Sequence, residues 1–453
     1  MARYELGDRF WTIGRDGPDG TILITTTGKI GNPGRRYPRD CKNPGAATAL
    51  YEDLVLGKLR EGYKLVEGAP AGAPGARSAP IAAPLPVAPA LDTAAAALEA
   101  AIVADPGDTA AYIVYADWLQ QQGDPRGELI TLMLAREAEL VRDLAAGSKR
   151  RSPLPQAIGR VLERHAQALL GPLISHVPDV RDPASGLFTW RAGFIHRLTL
   201  HRRSDSAEIV RAVLAHPSGR FLRELILAPL TMHDAHATVD VLIDRAPATL
   251  AELALVVGED EAPPLDVARL WPALPGLRRV NLAAVNLDLG AVHAPGAERA
   301  RFATRARSGT SGLSVAAIRA IAGAPWPVLQ RLELRFGSYG DPSSSTIDDL
   351  QPLLVSGALP ALTHLKLRGC AYAGEALALL AAGPLARQLV VVDLSHGIVE
   401  REDLRALAPR RGEFPALREL WLPSRIIAEA RRMLPGIATH VISDERSALD
   451  TVP

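Results

Sequence analysis

The sequence predicts an α/β protein in which most of the chain is a stack of strand-plus-helix coils, preceded by a small α+β domain and a small all-α module. Three observations carry that prediction. One phrase, apolar-x-x-apolar-x-apolar, recurs eight times between Ile195 and Leu422. Its copies fall at a nearly constant distance, and the stretches between them carry apolar residues at helical rather than alternating spacing.

The copies read IHRLTL from Ile195, LRELIL from Leu222, LAELAL from Leu250, LRRVNL from Leu277, LQRLEL from Leu329, LTHLKL from Leu362, LVVVDL from Leu389 and LRELWL from Leu417. The intervals are 27, 28, 27, 52, 33, 27 and 28, so the interval of 52 is expected to hide one further copy, around Phe302. A period in the twenties marks a stacked array, since one coil cannot hide its apolar face but a neighbour on each side does. In an extended segment the second and third apolar residues of the phrase, two apart, point the same way into a core. Between copies, Leu313, Ala316, Ala317, Ile318 and Ile321 have the spacing of a helix face. With these features the chain resembles the leucine-rich repeat family, in its longer, ribonuclease-inhibitor-type class. The copy Leu362-x-x-Leu365-x-Leu367-x-x-Cys370 carries the fuller signature, including the Asn-or-Cys position. The resemblance covers residues 189–445 and implies a leucine-rich-repeat solenoid of about nine coils. Ser185 to Phe194 is expected to be a lead-in strand.

A length of 453 residues argues for several domains. With 51 basic against 50 acidic side chains, no global field recruits nucleic acid or membrane. Two cysteines, Cys41 and Cys370, cannot form a disulfide framework. The first residues lack an apolar signal core and prolines interrupt the apolar run Ile81 to Ala90, so a cytoplasmic protein without a membrane span is expected.

Residues 1–68 read as a compact unit. Phe10 to Ile13 and Thr21 to Thr25 are strand-like, separated by the turn-rich segment Gly14 to Gly20. A glycine loop, Gly28-Lys-Ile-Gly31-Asn-Pro-Gly34, follows, and Ala46 to Leu59 has helical spacing at Leu50, Leu54 and the Tyr51/Val55 pair. This order, with Phe10, Trp11, Gly28 to Gly31, Gly34 and the ending Lys58 to Tyr63, resembles the WGR domain of poly(ADP-ribose) polymerases and of bacterial proteins. The resemblance implies contacts to DNA ends and neighbouring domains. Where the family carries Trp-Gly-Arg, however, this chain has Thr27-Gly28-Lys29 and lacks both the ring and the guanidinium. The loop holding Lys29, Arg35, Arg36, Arg39 and Lys42 against one acid, Asp40, is the candidate nucleic-acid or domain contact. A basic loop without a nearby aromatic would hold phosphates in a salt-sensitive, sequence-blind way, and its alternative is a solvated face on a protein-binding domain.

Residues 69–90 are Ala, Pro and Gly with little charge and read as a flexible linker. Three helices are expected over 91–145, the first capped by Asp92 or Thr93 and stopped at Asp105-Pro-Gly107. Tyr115-Ala-Asp-Trp-Leu119 followed by Gly123-Asp-Pro-Arg-Gly-Glu128 resembles the repeat-companion domain, a helical module that precedes repeats in some bacteria. Within it Trp118 is expected to pack, and Asp117 and Asp124 to receive helix-end amides or Arg126. Residues 146–188 form a helical connector headed by the basic cluster Lys149 to Arg151, with Val161, Leu162, His165, Leu169 and Leu170 at helical spacing.

The common catalytic signatures are absent from the sequence: there is no phosphate-binding Gly-rich loop with Lys-Ser/Thr, no His-Glu-x-x-His, no Cys-x-x-Cys and no Gly-x-Ser-x-Gly. The His233, His236 and Asp240 group has loose metal-ligand spacing but falls on an inter-strand helix, where a solvated face is the default. Cys370 sits at a buried repeat position. The expectation is therefore no enzyme, no metal and no cofactor. What remains is the outward side of the phrase, with Arg197, Arg223, Ile226, Arg278, Arg279, Arg331, Lys366, Val390 and Trp421 as candidate contacts on a concave face. Arg and Trp dominate protein interfaces. The reading is a protein–protein scaffold or adaptor, with a partner protein on the repeats and a second partner or DNA on the first domain; a DNA-end-binding module is the alternative.

Overall fold

In the computed structural model the chain divides into two compact units, Met1–Pro89 and Ala90–Pro453. The structure describes residues 2–6, 9–16, 22–31, 34–40, 54, 64–67, 93–147, 152–183, 186–201, 205–258, 264–304, 313–336, 345–355, 357–435 and 439–441. The segment 69–90, Lys42, the cluster Lys149 to Arg151 and all of the helix expected over 46–59 except Leu54 lie outside the described residues.

The first unit is an antiparallel sheet of five strands, β1 (Ala2–Leu6), β2 (Arg9–Asp16), β3 (Ile22–Lys29), β4 (Arg35–Asp40) and β5 (Lys64–Glu67), in the order β4-β3-β2-β1-β5. Phe10, Trp11, Ile13, Leu23 and Ile24 are buried, with Tyr4 against Trp11 at 5.5 Å and the Arg3 guanidinium 4.6 Å over the Phe10 ring. One expectation needs correction: the basic residues are not in a loop. β3 continues through the β-branched run Thr25-Thr26-Thr27 to Lys29, and Arg35, Arg36 and Arg39 lie on β4, paired to it. A Cβ on Gly28 would sit 2.7 Å from the Gly34 Cα, and Gly34 has φ +72°, so this hairpin closes only over glycines.

The second unit begins with helices Thr93–Ala104, Thr109–Gln121 and Pro125–Ala146. Asp108 and Asp124 cap the second and third by accepting from the Ala110 and Arg126 amides. Asp124 also pairs with the Arg126 guanidinium, whereas Asp117 points into solvent, contrary to expectation: on an amphipathic helix its neighbours Tyr115, Ala116 and Leu119 take the buried side. Trp118 stacks on Tyr115 at 5.9 Å. Tyr115 in turn stacks on Phe194, and its hydroxyl donates to Glu99, which also accepts from Arg220. These contacts fix the helical module to the start of the sheet. The connector follows as helices Leu154–Arg164 and Ala166–Leu170, burying Val161, Leu162, Leu169 and Leu170.

The main sheet has eleven strands: β6 (Phe188–Arg191), β7 (Phe194–Leu200), β8 (Glu224–Leu230), β9 (Glu252–Val257), β11 (Arg279–Ala284), β13 (Arg299–Thr304), β14 (Arg331–Arg335), β15 (His364–Arg368), β16 (Val391–Asp393), β17 (Glu419–Leu422) and β18 (Thr439–Val441). Short β10 (Leu265–Asp266) and β12 (Leu287–Asp288) pair with each other. Apart from the β6–β7 hairpin, neighbours in the main sheet are parallel and follow chain order. The connections carry helices such as Ser206–Ala215, Met232–Arg245, Val315–Ala322 and Ala373–Ala382. Strand residues such as Leu225, Leu227, Leu365 and Leu367 join Ile209, Val213, Ile318 and Leu377 of those helices in one core. The architecture is thus a mixed α/β arrangement whose sheet does not close on itself.

The segment around Phe302 is β13, lying between β11 and β14. Its phrase is Ala297-x-x-Ala300-x-Phe302, so the interval of 52 divides into 20 and 32 rather than into halves. The shorter interval has room for β12 but contains no helix. Phe302 compensates for the two alanines by packing against Trp326 at 6.4 Å. Phe302→Ala is expected to destabilise the second unit by about 3–5 kcal/mol, measured as a fall in urea midpoint, while Leu144→Ala, at a side chain 86% exposed, changes it by less than ~0.5 kcal/mol.

Candidate binding face of the sheet

Parallel in-register pairing turns the outward positions of the phrase into rows across the strands. The first row runs Arg197, Glu224, Glu252, Arg279, Arg299, Arg331, His364, Val391, Glu419. The second, two residues along each strand, runs Thr199, Ile226, Ala254, Asn281, Arg301, Glu333, Lys366, Asp393, Trp421. Alternation puts both rows on the side away from the apolar core. From β9 to β17 they line an open concavity of about 590 Å³.

Of the residues the sequence nominated, Arg279, Arg331, Lys366 and Trp421 line this concavity. Arg197 belongs to the first row but lies beyond the concavity, on β7. Arg223, Arg278 and Val390 each precede their strand by one residue, and their carbonyls accept from the amides that open the next strand. They fall outside the two-residue period and so outside both rows. Ile226 is a correction of another kind, being only 3% exposed rather than an exposed apolar group. On its face lies Glu224, two residues back, whose ion pairs hold the Arg197 and Arg279 side chains, and such long stems shield apolar groups.

The charges of the two rows are largely matched. Glu224 meets Arg197 and also Arg279 (3.3 Å), and Arg279 meets Glu252 (2.5 Å). Hydrogen bonding from His196, then from Arg197, holds the Glu224 carboxyl down to about 2, against burial. Burial pushes the Glu252 carboxyl up, opposed by Arg279. Arg301 donates to Glu333 (3.1 Å) and to Asn281 (3.2 Å). Arg368, two residues beyond Lys366 on β15, donates to the buried Asp393 at 3.0 Å. Trp421 Nε1 donates to Glu419 at 3.0 Å. Arg299, Arg331 and Lys366 have no carboxylate within ion-pair distance among the described residues. They surround His364, whose imidazole is held below its ordinary range by burial first and by Arg331 next. Arg299 and Arg301 were not legible beforehand because alanines replace the leucines of their phrase; the long interval was the one signal.

The other nominated groups are not assembled into a site. Cys370 is 0% exposed and burial pushes its thiol up to about 12. His233 is exposed, His236 Nε2 lies 3.2 Å from the Pro264 carbonyl, and Asp240 pairs with Arg269. Among the described residues no group of three or more His, Cys, Asp or Glu is placed to hold a metal ion. No described helix is long and apolar enough to cross a membrane. In the first unit Lys29, Arg35, Arg36 and Arg39 are exposed, and an aromatic does accompany them: Tyr37, 45% exposed, lies on β4 between Arg35 and Arg39.

Glu224 yields a pH prediction. Its folded value near 2 lies below the ordinary 4.5, so its stabilisation is complete above about 4.5 and is lost as pH falls toward 2. Glu224→Gln is expected to lower stability by about 1 kcal/mol at pH 7, because its arginine partners are partly solvated. In paired urea titrations the gap between parent and variant narrows below pH 4.5; a gap constant from pH 7 to pH 2.5 would contradict the assignment.

No family model matches the chain, and no curated protein does either. Among solved structures the chain is similar to the crystal structure of a Bacteroides fragilis protein, at 15% identity and a TM-score of 0.41, with 97% of this chain and 96% of that one covered.

Proposed function

We propose that the second unit is a leucine-rich-repeat solenoid with a repeat-companion module at its start, and that the protein is a non-catalytic scaffold that grips a partner protein on the outward face of the sheet. The observation that carries this is the open concavity bounded by the two side-chain rows across β9 to β17. A surface that broad, mixing arginines with Trp421, suits a folded or extended polypeptide better than a small molecule, which favours enclosed apolar pockets. The first unit, a WGR-like domain in this reading, contacts a second partner. The tether expected over 69–90 acts by raising effective concentration.

A second reading, nucleic-acid contact by the first unit, is favoured by one observation. Arg35, Tyr37 and Arg39 alternate along edge strand β4, so two cations flank one exposed ring on one side.

Affinity capture with the full chain from its own cell extract separates the two. Trp421→Ala is expected to weaken the principal capture at least about tenfold, in keeping with interface tryptophans, while Arg35→Glu leaves it intact. Capture unaffected by Trp421→Ala and abolished by Arg35→Glu would move the activity to the first unit. In a mobility shift at low salt, the second reading expects nicked duplex to be retarded by the parent and not by Arg35→Glu.

A further inference from the structure

Like charges directly opposite one another on neighbouring strands are destabilising, and the sheet face holds several such pairs: Glu224 and Glu252 share Arg279, Arg279 itself stands opposite Arg299, and Arg368, opposite Arg335, meets Asp393. Arg299 and Arg331 are register partners on β13 and β14, and Arg331 is the register partner of His364 on β15. Lys366 stands two residues beyond His364 on the same side. Strands lie about 4.8 Å apart, so these cations converge within roughly 10 Å. Around them each acid of the rows already has a donor: Glu224 and Glu252 are met by Arg279, Glu333 by Arg301, Asp393 by Arg368 and Glu419 by Trp421. The excess is therefore local and positive, and it lies in the middle of the concavity. His364, held below its ordinary range, adds little charge at neutral pH.

We infer that this cluster receives an acidic segment of the partner protein, with two or three carboxylates seated on Arg299, Arg331 and Lys366. This rests on the reading of the sheet face as a protein-binding surface. Alternate residues of an extended segment lie about 7 Å apart, which matches the spread of the cluster. Trp421 follows Asp393 in the second row, so an apolar side chain beyond the acids finds a contact. A nucleic-acid strand fits less well. It presents phosphates continuously and needs a long basic lane, whereas this cluster is bounded by Glu252 on one side and by Asp393 and Glu419 on the other.

The test uses the full chain and fluorescence anisotropy. The probes are a labelled ten-residue peptide of alternating Glu and Ser ending in Leu-Trp, its Gln-for-Glu counterpart, and oligo-dT of about the same length. The acidic peptide is expected to bind, to weaken at least about tenfold between roughly 20 and 200 mM salt, and to exceed the Gln peptide by at least about tenfold. Arg331→Glu and, separately, Arg299→Gln each lose at least about tenfold with a thermal midpoint unchanged or raised, since a repulsion is relieved. Arg410→Glu, an exposed charge outside the rows, leaves binding as it was. Equal binding of the Gln peptide, no binding of the acidic one up to about 1 mM, or insensitivity to both cluster variants overturns the inference. Tighter binding of oligo-dT, lost in Arg331→Glu, assigns the cluster to nucleic acid instead. If the peptide fails while capture of the natural partner still depends on Trp421, the acidic segment alone is wrong. If capture is also indifferent to Trp421→Ala, the protein-binding face itself is wrong.

Discussion

The second unit depends on one constraint: two apolar side chains per strand, two residues apart, must lie against the helices of the connections. Leu225 and Leu227, Leu253 and Leu255, Leu365 and Leu367 satisfy it, and all are buried in a single core. Because alternation has a period of two, fixing those residues inward fixes the residues before and between them outward. A slip of one residue would expose every leucine and bury every arginine, so the register is strongly specified. The rows of Arg, Glu, His, Lys and Trp on the other face are the consequence of that burial rather than a separate arrangement.

The constraint also accounts for how the face tolerates so many charges. Neighbours in a row are one strand spacing apart, close enough for a carboxylate to meet the arginine beside it, as Glu252 meets Arg279. Pairing across strands thus neutralises the N-terminal part of the face and holds Glu224 ionised. The same spacing forces Arg299 and Arg331 together where no acid stands between them. Mutual repulsion there works against the sheet, and its persistence is what directs attention to a ligand of opposite charge.

Much of this was legible in the chain. Eight phrases located eight strands, and the long interval located the ninth at Phe302, although the division into 20 and 32 residues was not foreseen. The unequal division follows from a connection without a helix, and a connection's length leaves no periodic trace. Four nominated contacts, Arg279, Arg331, Lys366 and Trp421, line the concavity because they occupy outward positions of the pleat. Arg223, Arg278 and Val390 do not, since the phrase alone does not say where the pleat begins. In the first unit, the threonine run before Gly28 and the paired glycines extended a hairpin where a loop was expected, placing Tyr37 among the arginines.

By itself the sequence determined the alternation of strands and helices and the inward leucines of each phrase, because local periodicity and burial are properties of short segments. Tertiary structure alone decided which charges meet. Whether Arg301 finds Glu333, 32 residues away, and whether Arg299 faces Arg331, depends on strand order and register summed over connections of unequal length. Coulombic pairing acts over a few ångströms of space, and no local pattern in the chain encodes that separation.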